Sequence, residues 1–322
     1  MSRFLILVFV FALSTRQSFS QQPDAHLNYQ LSLSIDAKVL KIVPYEPVRL
    51  IISLRNKSLT TAMVPLNIFS NLQLLVTHGN MHLPPVLDRS EFRTVYATTP
   101  PPIPLEPGVV LKHSTILFMD DYDNKRFFVF PSRGSYLIKA HITSDTGLKV
   151  ESPEVKVVVE EPSIEDRKAA KLIMNPSAAA NIQEWGYVER GIAPLKEIAA
   201  LYGRSHFADF ARYTLGDYYA SKYYSHTKTA PQLDLKSFNY YSAISDRIPP
   251  VKVAALLSQA ELIVASPDLR LKVDIPKFVN QLESKTVDAK TIGVQFRLAE
   301  LIEKLKNIKN LQPKNPNRRL PK

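Results

Sequence analysis

Two groups of side chains have the residue types that bind metal ions. His78 and His82 are four residues apart, and the segment Asp120–Asn124 contains three carboxylates and an amide. The histidines lie in VTHGNMHLPP, where glycine and proline indicate a turn between strands, and the sequence indicates no third ligand. Asp120–Asn124 lacks the glycine and the distal glutamate of a helix–loop–helix calcium loop. We therefore expect no metal at either place. Calcium at Asp120–Asn124 stays open as the alternative to a solvated turn.

The sequence carries no recognised motif for a catalytic nucleophile or a nucleotide cofactor. It has no cysteine, which excludes thiol catalysis and cysteine-bound zinc. Its 9 glycines form neither GxGxxG nor a phosphate-binding loop, and no GxSxG is present. We therefore predict a non-catalytic protein without a cofactor. The alternative is a secreted hydrolase, or a cell-envelope-modifying enzyme, whose catalytic residues follow no recognised motif.

The first twenty residues have the pattern of a secretion signal. Arg3 precedes the apolar run Phe4–Leu13, and Ser18 and Ser20 form a small-x-small cleavage pattern. The run is too short to cross a bilayer as a helix. We predict a signal peptide over residues 1–20, cleavage near Ser20, and a secreted or periplasmic protein that does not span a membrane. An exported chain without cysteine favours a bacterial source.

Apolar and polar side chains alternate from Leu27 to Glu161, within a predicted domain over residues 21–162. In GSYLIKAHI, the residues Tyr136, Ile138, Ala140 and Ile142 fall on one face of a strand, and the valines of PEVKVVVEEP alternate in the same way. Seven to nine such runs are separated by proline, glycine and asparagine. The pattern predicts half-buried antiparallel strands that form a β-sandwich.

The spacing Gly134-x-Tyr136-x-Ile138 resembles the tyrosine corner of immunoglobulin-like sandwiches. This resemblance is strengthened by the segments YEPVRLIISLRNKS, LEPGVVL and VESPEVKVVVEEP. Together they resemble the immunoglobulin or fibronectin-type modules of bacterial secreted proteins over residues 27–162. The resemblance implies that the Tyr136 hydroxyl binds a nearby backbone group. It also implies that Ile138 lies in the core, where antibody domains have a cysteine.

The alternation ends at Pro162, and a helical pattern follows. Ser163 with Asp166 three residues later has the spacing of a capping box at the start of a helix. Apolar residues then recur at helical spacing, as in VKVAALLSQAELIVAS, and predict six or seven helices. We predict a linker at Pro162–Asp166, an all-α domain over residues 163–310, and a basic disordered tail over residues 311–322.

Residues 206–224, HFADFARYTLGDYYASKYY, form the most aromatic run of the chain. Five apolar side chains in it fall at helical spacing: Phe207, Phe210, Leu215, Tyr218 and Tyr219. Such a stripe favours packing between helices over a ligand site. YTLGDYY resembles the first helix of a tetratricopeptide unit. FNYYSAISDRIPP, with Tyr240, Ala243 and Pro249, resembles the second. The resemblance implies a helical hairpin in which a glycine lets the helices approach closely.

Tyr223 and Tyr224 are the predicted partner-binding residues. Consecutive residues lie about 100° apart around a helix, so one of the two rings points away from a core packed on one side. The polar segment SHTKTAPQLD follows and predicts an unusually long connection between helices, where partner contacts concentrate. We predict a binding or scaffolding protein that contacts a protein partner through its helical domain. The alternative is a neutral insertion with both rings buried.

The excess positive charge lies in the second half of the chain. The formal net charge is +11, residues 21–162 carry 14 basic and 14 acidic residues, and the last twenty residues carry seven basic and one acidic. The tail predicts weak contact with an anionic cell surface, with a solubilising role as the alternative. No nucleic-acid partner is expected for an exported protein. Carbohydrate binding by the sandwich is a third function, for which Tyr96 and Tyr122 are the candidate aromatics.

Overall fold

The computed structural model describes residues 31–35, 39–65, 68–87, 102–122, 125–143, 149–183, 188–225, 231–286 and 300–308. In these ranges β-strands occupy the chain up to Val159, and α-helices follow from Ile164. The chain therefore contains both sheets and helices, in the predicted order. We call the two parts the sheet half and the helical half. The predicted signal peptide, residues 1–20, and the predicted tail, residues 311–322, lie outside the described residues.

Fourteen strands are described in the sheet half. In chain order they are β1 (Leu31–Ile35), β2 (Val39–Ile42), β3 (Val48–Asn56), β4 (Ala62–Val64), β5 (Leu72–His78), β6 (Met81–His82), β7 (Val86–Leu87), β8 (Ile103–Leu105), β9 (Val110–Leu117), β10 (Met119–Tyr122), β11 (Lys125–Phe128), β12 (Gly134–Thr143), β13 (Lys149–Glu151) and β14 (Val155–Val159).

Two sheets enclose the core of the sheet half. The first has the strand order β1-β3-β9, and the second has the order β2-β14-β12-β5-β6, with β13 beside β12 and β7 beside β5. The pairs β4-β8 and β10-β11 form two further small sheets. Alternate residues of both large sheets form one apolar cluster, in which Leu54, Leu72 and Ile138 are fully buried. The predicted alternation is therefore confirmed for β3, β12 and β14.

One strand pairing differs from the predicted antiparallel arrangement. β2 runs parallel to β14, with Val39 beside Lys156 and Ile42 beside Val159. Parallel neighbours need a long crossover connection, and here most of the sheet half lies between the two strands in the sequence. Alternation could not reveal this pairing, because side chains alternate with period two in both kinds of strand.

Tyr136 forms a corner of the predicted kind. Its side chain is 1% exposed, and its hydroxyl donates a hydrogen bond to the Ser132 carbonyl at 3.0 Å. The imidazole of His78 stacks on the ring at 4.1 Å, and the ring of Phe130 packs edge-on at 5.2 Å. Ile138 follows in the core and is fully buried. Tyr136 thus ties the turn before β12 to the core.

Tyr136→Phe should lower the free energy of unfolding by about 1 kcal/mol, because it removes the hydrogen bond from the buried tyrosine to the Ser132 carbonyl. Urea denaturation of both proteins measures the difference. Tyr202→Phe is the matched control, since the Tyr202 hydroxyl makes no hydrogen bond within the described residues. A Tyr136→Phe protein as stable as the Tyr202→Phe protein contradicts the role of the corner.

Nine α-helices are described, more than the six or seven predicted. They are α1 (Ile164–Ile173), α2 (Pro176–Ile182), α3 (Ile192–Leu201), α4 (Ala208–Ser225), α5 (Pro231–Ser242), α6 (Pro249–Ala265), α7 (Pro267–Lys272), α8 (Ile275–Thr286) and α9 (residues 300–308). The additional helices include the short α2 and α7, each of which starts at a proline. Proline is well tolerated in the first turn of a helix, so a proline that looks like a break can also mark a new start.

The helical half begins with the predicted capping box. The Ser163 hydroxyl accepts a hydrogen bond from the Asp166 backbone N–H at 3.1 Å, and the Asp166 carboxylate accepts one from the Ser163 backbone N–H at 3.0 Å. The same carboxylate accepts a third bond, from the His206 backbone N–H at 2.9 Å. Asp166 therefore fixes the start of α1 and also His206, which lies two residues before α4.

The two halves share an apolar core. Ile116, Phe118 and Met119 of the sheet half pack in one cluster with residues from α1 to α6. Gln183, directly after α2, donates to the Ile116 carbonyl at 2.9 Å and accepts from the Met119 N–H at 3.2 Å. The helices are thus packed directly on the sheet half.

A buried carboxylate joins the halves at this contact. Glu46, between β2 and β3, is 5% exposed, and its Oε2 accepts hydrogen bonds from the Val43 N–H at 2.9 Å and from His206 Nδ1 at 2.8 Å. Asp166 and Arg247 are the other charged groups near His206. A buried carboxylate is costly without partners, so its bond to His206 positions the start of α4 against the sheet half.

The environment of this pair shifts the pKa of both groups. The hydrogen bond to Glu46 raises the pKa of His206 above its ordinary value of 6.5, and this outweighs the opposing effect of burial. Burial raises the pKa of Glu46 more than the hydrogen bond from His206 lowers it. His206 therefore holds its proton more tightly in the folded protein than in the unfolded chain.

The free energy of unfolding should fall as the pH rises from the ordinary pKa of His206, 6.5, through its raised value in the folded protein. A histidine with a raised pKa stabilises the folded state fully below its ordinary pKa, and it loses that contribution as the pH rises through the folded value. The raised pKa of Glu46 acts in the same direction as the pH rises above the ordinary value of that group, 4.5. His206→Gln should flatten the slope measured by urea denaturation at each pH. His82→Gln, at an exposed histidine, is the control and should keep the wild-type slope. Equal slopes in the two variants contradict the prediction.

Candidate functional site

A groove of about 390 Å³ lies where α3, α4 and α5 meet. We call it the α3–α5 groove. Its cationic side chains are Lys196 from α3, Arg212 from α4 and Lys236 from α5. Three alanines, Ala199, Ala200 and Ala243, together with Asn239 and Tyr240 complete the lining. The small alanine side chains leave room above the helix backbones, so the groove is open and largely positive.

Two lysines of the groove converge on one tyrosine. The Nζ atom of Lys236 lies 4.3 Å from the ring centroid of Tyr219, and Nζ of Lys196 lies 5.9 Å from it. Tyr219 is 6% exposed and stacks in parallel on Tyr240, with ring centroids 5.8 Å apart. The stack with Tyr240 fixes the Tyr219 ring. Both ammonium groups lie against this ring, at the side of the groove.

The pKa shifts show how strongly the ammonium groups act on this tyrosine. Burial alone would raise the pKa of Tyr219, but hydrogen bonding and charge from Lys236 and Lys196 bring it below its ordinary value of 10.0. Hydrogen bonding to Tyr219 in turn raises the pKa of Lys196. Neither lysine forms an ion pair with a carboxylate in the described part of the chain. Both ammonium groups therefore lie against the Tyr219 ring and remain available to an anion.

Arg212 differs from the two lysines because it forms an ion pair with a carboxylate, which it shares with Arg247. Its Nη1 donates to Oδ1 of Asp209 at 3.1 Å, and the Asp209 side chain is fully buried. Asp209 also accepts a hydrogen bond from the Ser245 backbone N–H at 3.2 Å. Arg212 therefore holds the wall of the groove in place, while the two lysines have no acidic partner among the described residues.

The spacing of α4 and α5 below the groove depends on a glycine. A Cβ added at Gly216 would lie 2.7 Å from Cδ1 of Tyr241, whose ring is 1% exposed. The Ser237 hydroxyl donates to the Gly216 carbonyl at 2.8 Å, and the Tyr241 hydroxyl donates to Asp217. The close approach implied by YTLGDYY is therefore present, and the ring that occupies it is Tyr241.

The predicted aromatic stripe is confirmed as packing. Phe207, Phe210, Leu215, Tyr218 and Tyr219 are all buried, and they belong to the core shared by the two halves. Tyr223 and Tyr224 lie in the last turn of α4, and their side chains are outside the described residues.

The connection after Tyr224 is shorter than the sequence predicted. α4 continues to Ser225 and α5 begins at Pro231, so residues 226–230 alone separate the helices. The predicted long loop was wrong, because Pro231 starts a helix instead of extending the loop.

The candidate metal ligands have other contacts. His78 and His82 belong to the paired strands β5 and β6, and His78 stacks on Tyr136. Asp120 is 3% exposed and accepts a hydrogen bond from the Leu87 N–H at 3.1 Å, so this carboxylate is not in a solvated turn. Asp121 pairs with Arg126. Asp123 and Asn124 lie outside the described residues. No group of three or more histidine or acidic side chains suited to a metal is found in the described ranges.

Of the carbohydrate candidates, Tyr96 is outside the described residues, as is the side chain of Tyr122 at the end of β10. No helix among those described has both the length and the apolar character needed to cross a membrane.

Comparison with known proteins identifies no family. No protein-family model matches the chain, and no similar sequence is found among curated proteins. Among solved structures, fibronectin(III)-like modules of Clostridium thermocellum CbhA match 40% of this chain and 94% of their own, at 15% identity and a TM-score of 0.20. A beta-glucosidase from Listeria innocua matches 41% of this chain at 11% identity and a TM-score of 0.21, and the match spans 17% of the beta-glucosidase.

No pattern in the sequence indicated the lysine pair. Lys196 and Lys236 lie on different helices, and each reads as an ordinary solvent-facing residue of an amphipathic helix. The one usable clue was the excess of tyrosine around them. The contact of Tyr219 with the two lysines joins three different helices, and a local sequence pattern does not reveal such a contact.

Gly216→Ala should lower the free energy of unfolding by about 2 kcal/mol, although alanine favours helices, because the buried ring of Tyr241 cannot move aside. Urea denaturation measures the change. In a Tyr241→Ala background the same substitution should cost less or stabilise the protein. An equal cost in both backgrounds would show that the ring does not set the helix spacing.

Proposed function

We propose that the chain is an exported, non-catalytic binding protein that contacts a protein partner through the α3–α5 groove. One observation carries the proposal: the ammonium groups of Lys196 and Lys236 belong to an open groove, and both lie against the ring of Tyr219. A structural lysine in a helical bundle normally points into water or pairs with a carboxylate. Here two lysines from different helices lie against the same tyrosine ring, and this arrangement suits them to binding an anionic ligand.

The position of the groove supports a role in recognition. α4 is fixed on one side by the shared core and by the Glu46–His206 bond, and α5 is fixed on α4 by Gly216 and Tyr241. A site on packed helices is held more rigidly than one on a loop, so the partner meets a preformed surface. This replaces the interhelical connection after Tyr224 as the predicted contact surface.

The finer fold assignment is part of the same proposal. We infer an immunoglobulin-like sandwich in the sheet half, supported by the two sheets on one core and by the Tyr136 corner. We infer a tetratricopeptide-like hairpin in α4 and α5, supported by the close approach at Gly216. In this arrangement the sandwich serves as a support for the helices. Export rests on the N-terminal pattern Arg3, Phe4–Leu13 and Ser20.

A substitution that fills the groove tests the proposed function. Ala200 is exposed and lines the groove, so Ala200→Trp adds bulk there without changing charge or core packing. Ala193→Trp is the matched control, at an exposed alanine of the same helix outside the groove. Purified protein is used to capture partners from the exported fraction of its own source.

We expect Ala200→Trp to reduce the captured partner by at least about tenfold, since a blocked contact centre removes most of the binding energy. The Ala193→Trp protein should capture as much as the wild type. Undiminished capture by Ala200→Trp would remove the groove as the contact surface.

A further inference from the structure

The ligand class of the α3–α5 groove follows from its charges and shape. We propose that the groove binds an acidic segment of a protein, with one carboxylate held between the ammonium groups of Lys196 and Lys236. This inference rests on the proposed function and adds the chemistry of the partner to it.

The positions of the lysines favour an oxyanion shared by both. Because the two ammonium groups lie against one phenol ring, a carboxylate placed beside that ring accepts hydrogen bonds from both of them. Charge-assisted hydrogen bonds of this kind are about twice as strong as neutral ones. The lysines are exposed, whereas Tyr219 is almost fully buried, so the ligand approaches the lysines from the open side of the groove.

The charge balance of the site also favours an anion. Arg212 pairs with Asp209, a carboxylate that it shares with Arg247, and the described groups that act electrostatically on Lys196 are the phenols of Tyr219, Tyr240 and Tyr218. The lining therefore carries two uncompensated positive charges. The chain as a whole carries a formal net charge of +11, which attracts an acidic partner over a distance and speeds its association.

The tyrosines disfavour nucleic acid as the ligand. Single-stranded nucleic acids bind proteins through free aromatic faces on which bases stack. In this groove Tyr240 covers Tyr219 on one side, and the Lys236 ammonium also lies against the Tyr219 ring. The Asn239 amide, which both donates and accepts hydrogen bonds, is suited to the backbone of a peptide that crosses the alanines.

Fluorescence anisotropy with labelled hexaglutamate tests the inference on the full chain at low salt. The test variant is the double substitution Lys196→Gln and Lys236→Gln. Because the chain is basic overall, the control removes the same charge elsewhere: Lys168→Gln and Lys171→Gln, two exposed lysines of α1. Labelled hexaglutamine and labelled oligothymidylate are the comparison probes. Thermal unfolding confirms that each variant is folded.

We expect the wild type to bind hexaglutamate and not hexaglutamine. The groove variant should weaken binding at least about tenfold, and the α1 variant less than about twofold, since removing a direct charged contact exceeds the effect of a distant charge. No binding of hexaglutamate, or equal weakening in both variants, would overturn the inference. Tighter binding of oligothymidylate through the same two lysines would also overturn it, in favour of nucleic acid.

The two proposals fail in different ways. In one case Ala200→Trp abolishes capture of the partner, whereas the groove lysine variant binds both hexaglutamate and the partner as the wild type does. The groove is then the contact surface, and the proposed acidic ligand is wrong. If Ala200→Trp captures the partner normally, the proposed function itself falls.

Discussion

The packing of α4 is the constraint on which the rest of the structure depends. At its start, His206 is tied to the buried Glu46 of the sheet half and, through its backbone, to Asp166 of α1. Farther along, Gly216 admits the ring of Tyr241 from α5. One helix thus contacts the sheets and its neighbouring helices. A shift of α4 would break the hydrogen bond between Glu46 and His206 at one end of the helix. It would also open the contact between α4 and α5 farther along.

This packing explains why so many tyrosines occur in one segment. A helix with neighbours on several sides must bury more than one stripe, and tyrosine fills a wide space while its hydroxyl reaches a polar partner. Tyr218 donates to Glu189, Tyr241 donates to Asp217, and Tyr219 faces two lysines. The first two hydroxyls have acidic acceptors. The third has cations around it, which sets the α3–α5 groove apart from an ordinary interhelical contact.

The sheet half was largely predictable because its information is local. Alternation placed Tyr136, Ile138 and Val157 in the core, and the corner spacing placed the Tyr136 hydroxyl near a backbone acceptor. The capping box at Ser163 was equally predictable from the sequence, since its two residues are three positions apart. The parallel pairing of β2 with β14 was not readable, because it joins segments more than a hundred residues apart.

By itself the sequence determined the order of sheets and helices, the strand faces, the start of α1 and the burial of the aromatic stripe. Each of these follows from hydrophobic period or from side-chain chemistry within a few residues. Tertiary structure alone decided that Glu46 meets His206, that Tyr241 fills the space at Gly216, and that Lys196 and Lys236 converge on Tyr219. These contacts depend on how whole elements pack, and no local pattern encodes the distance between two helices.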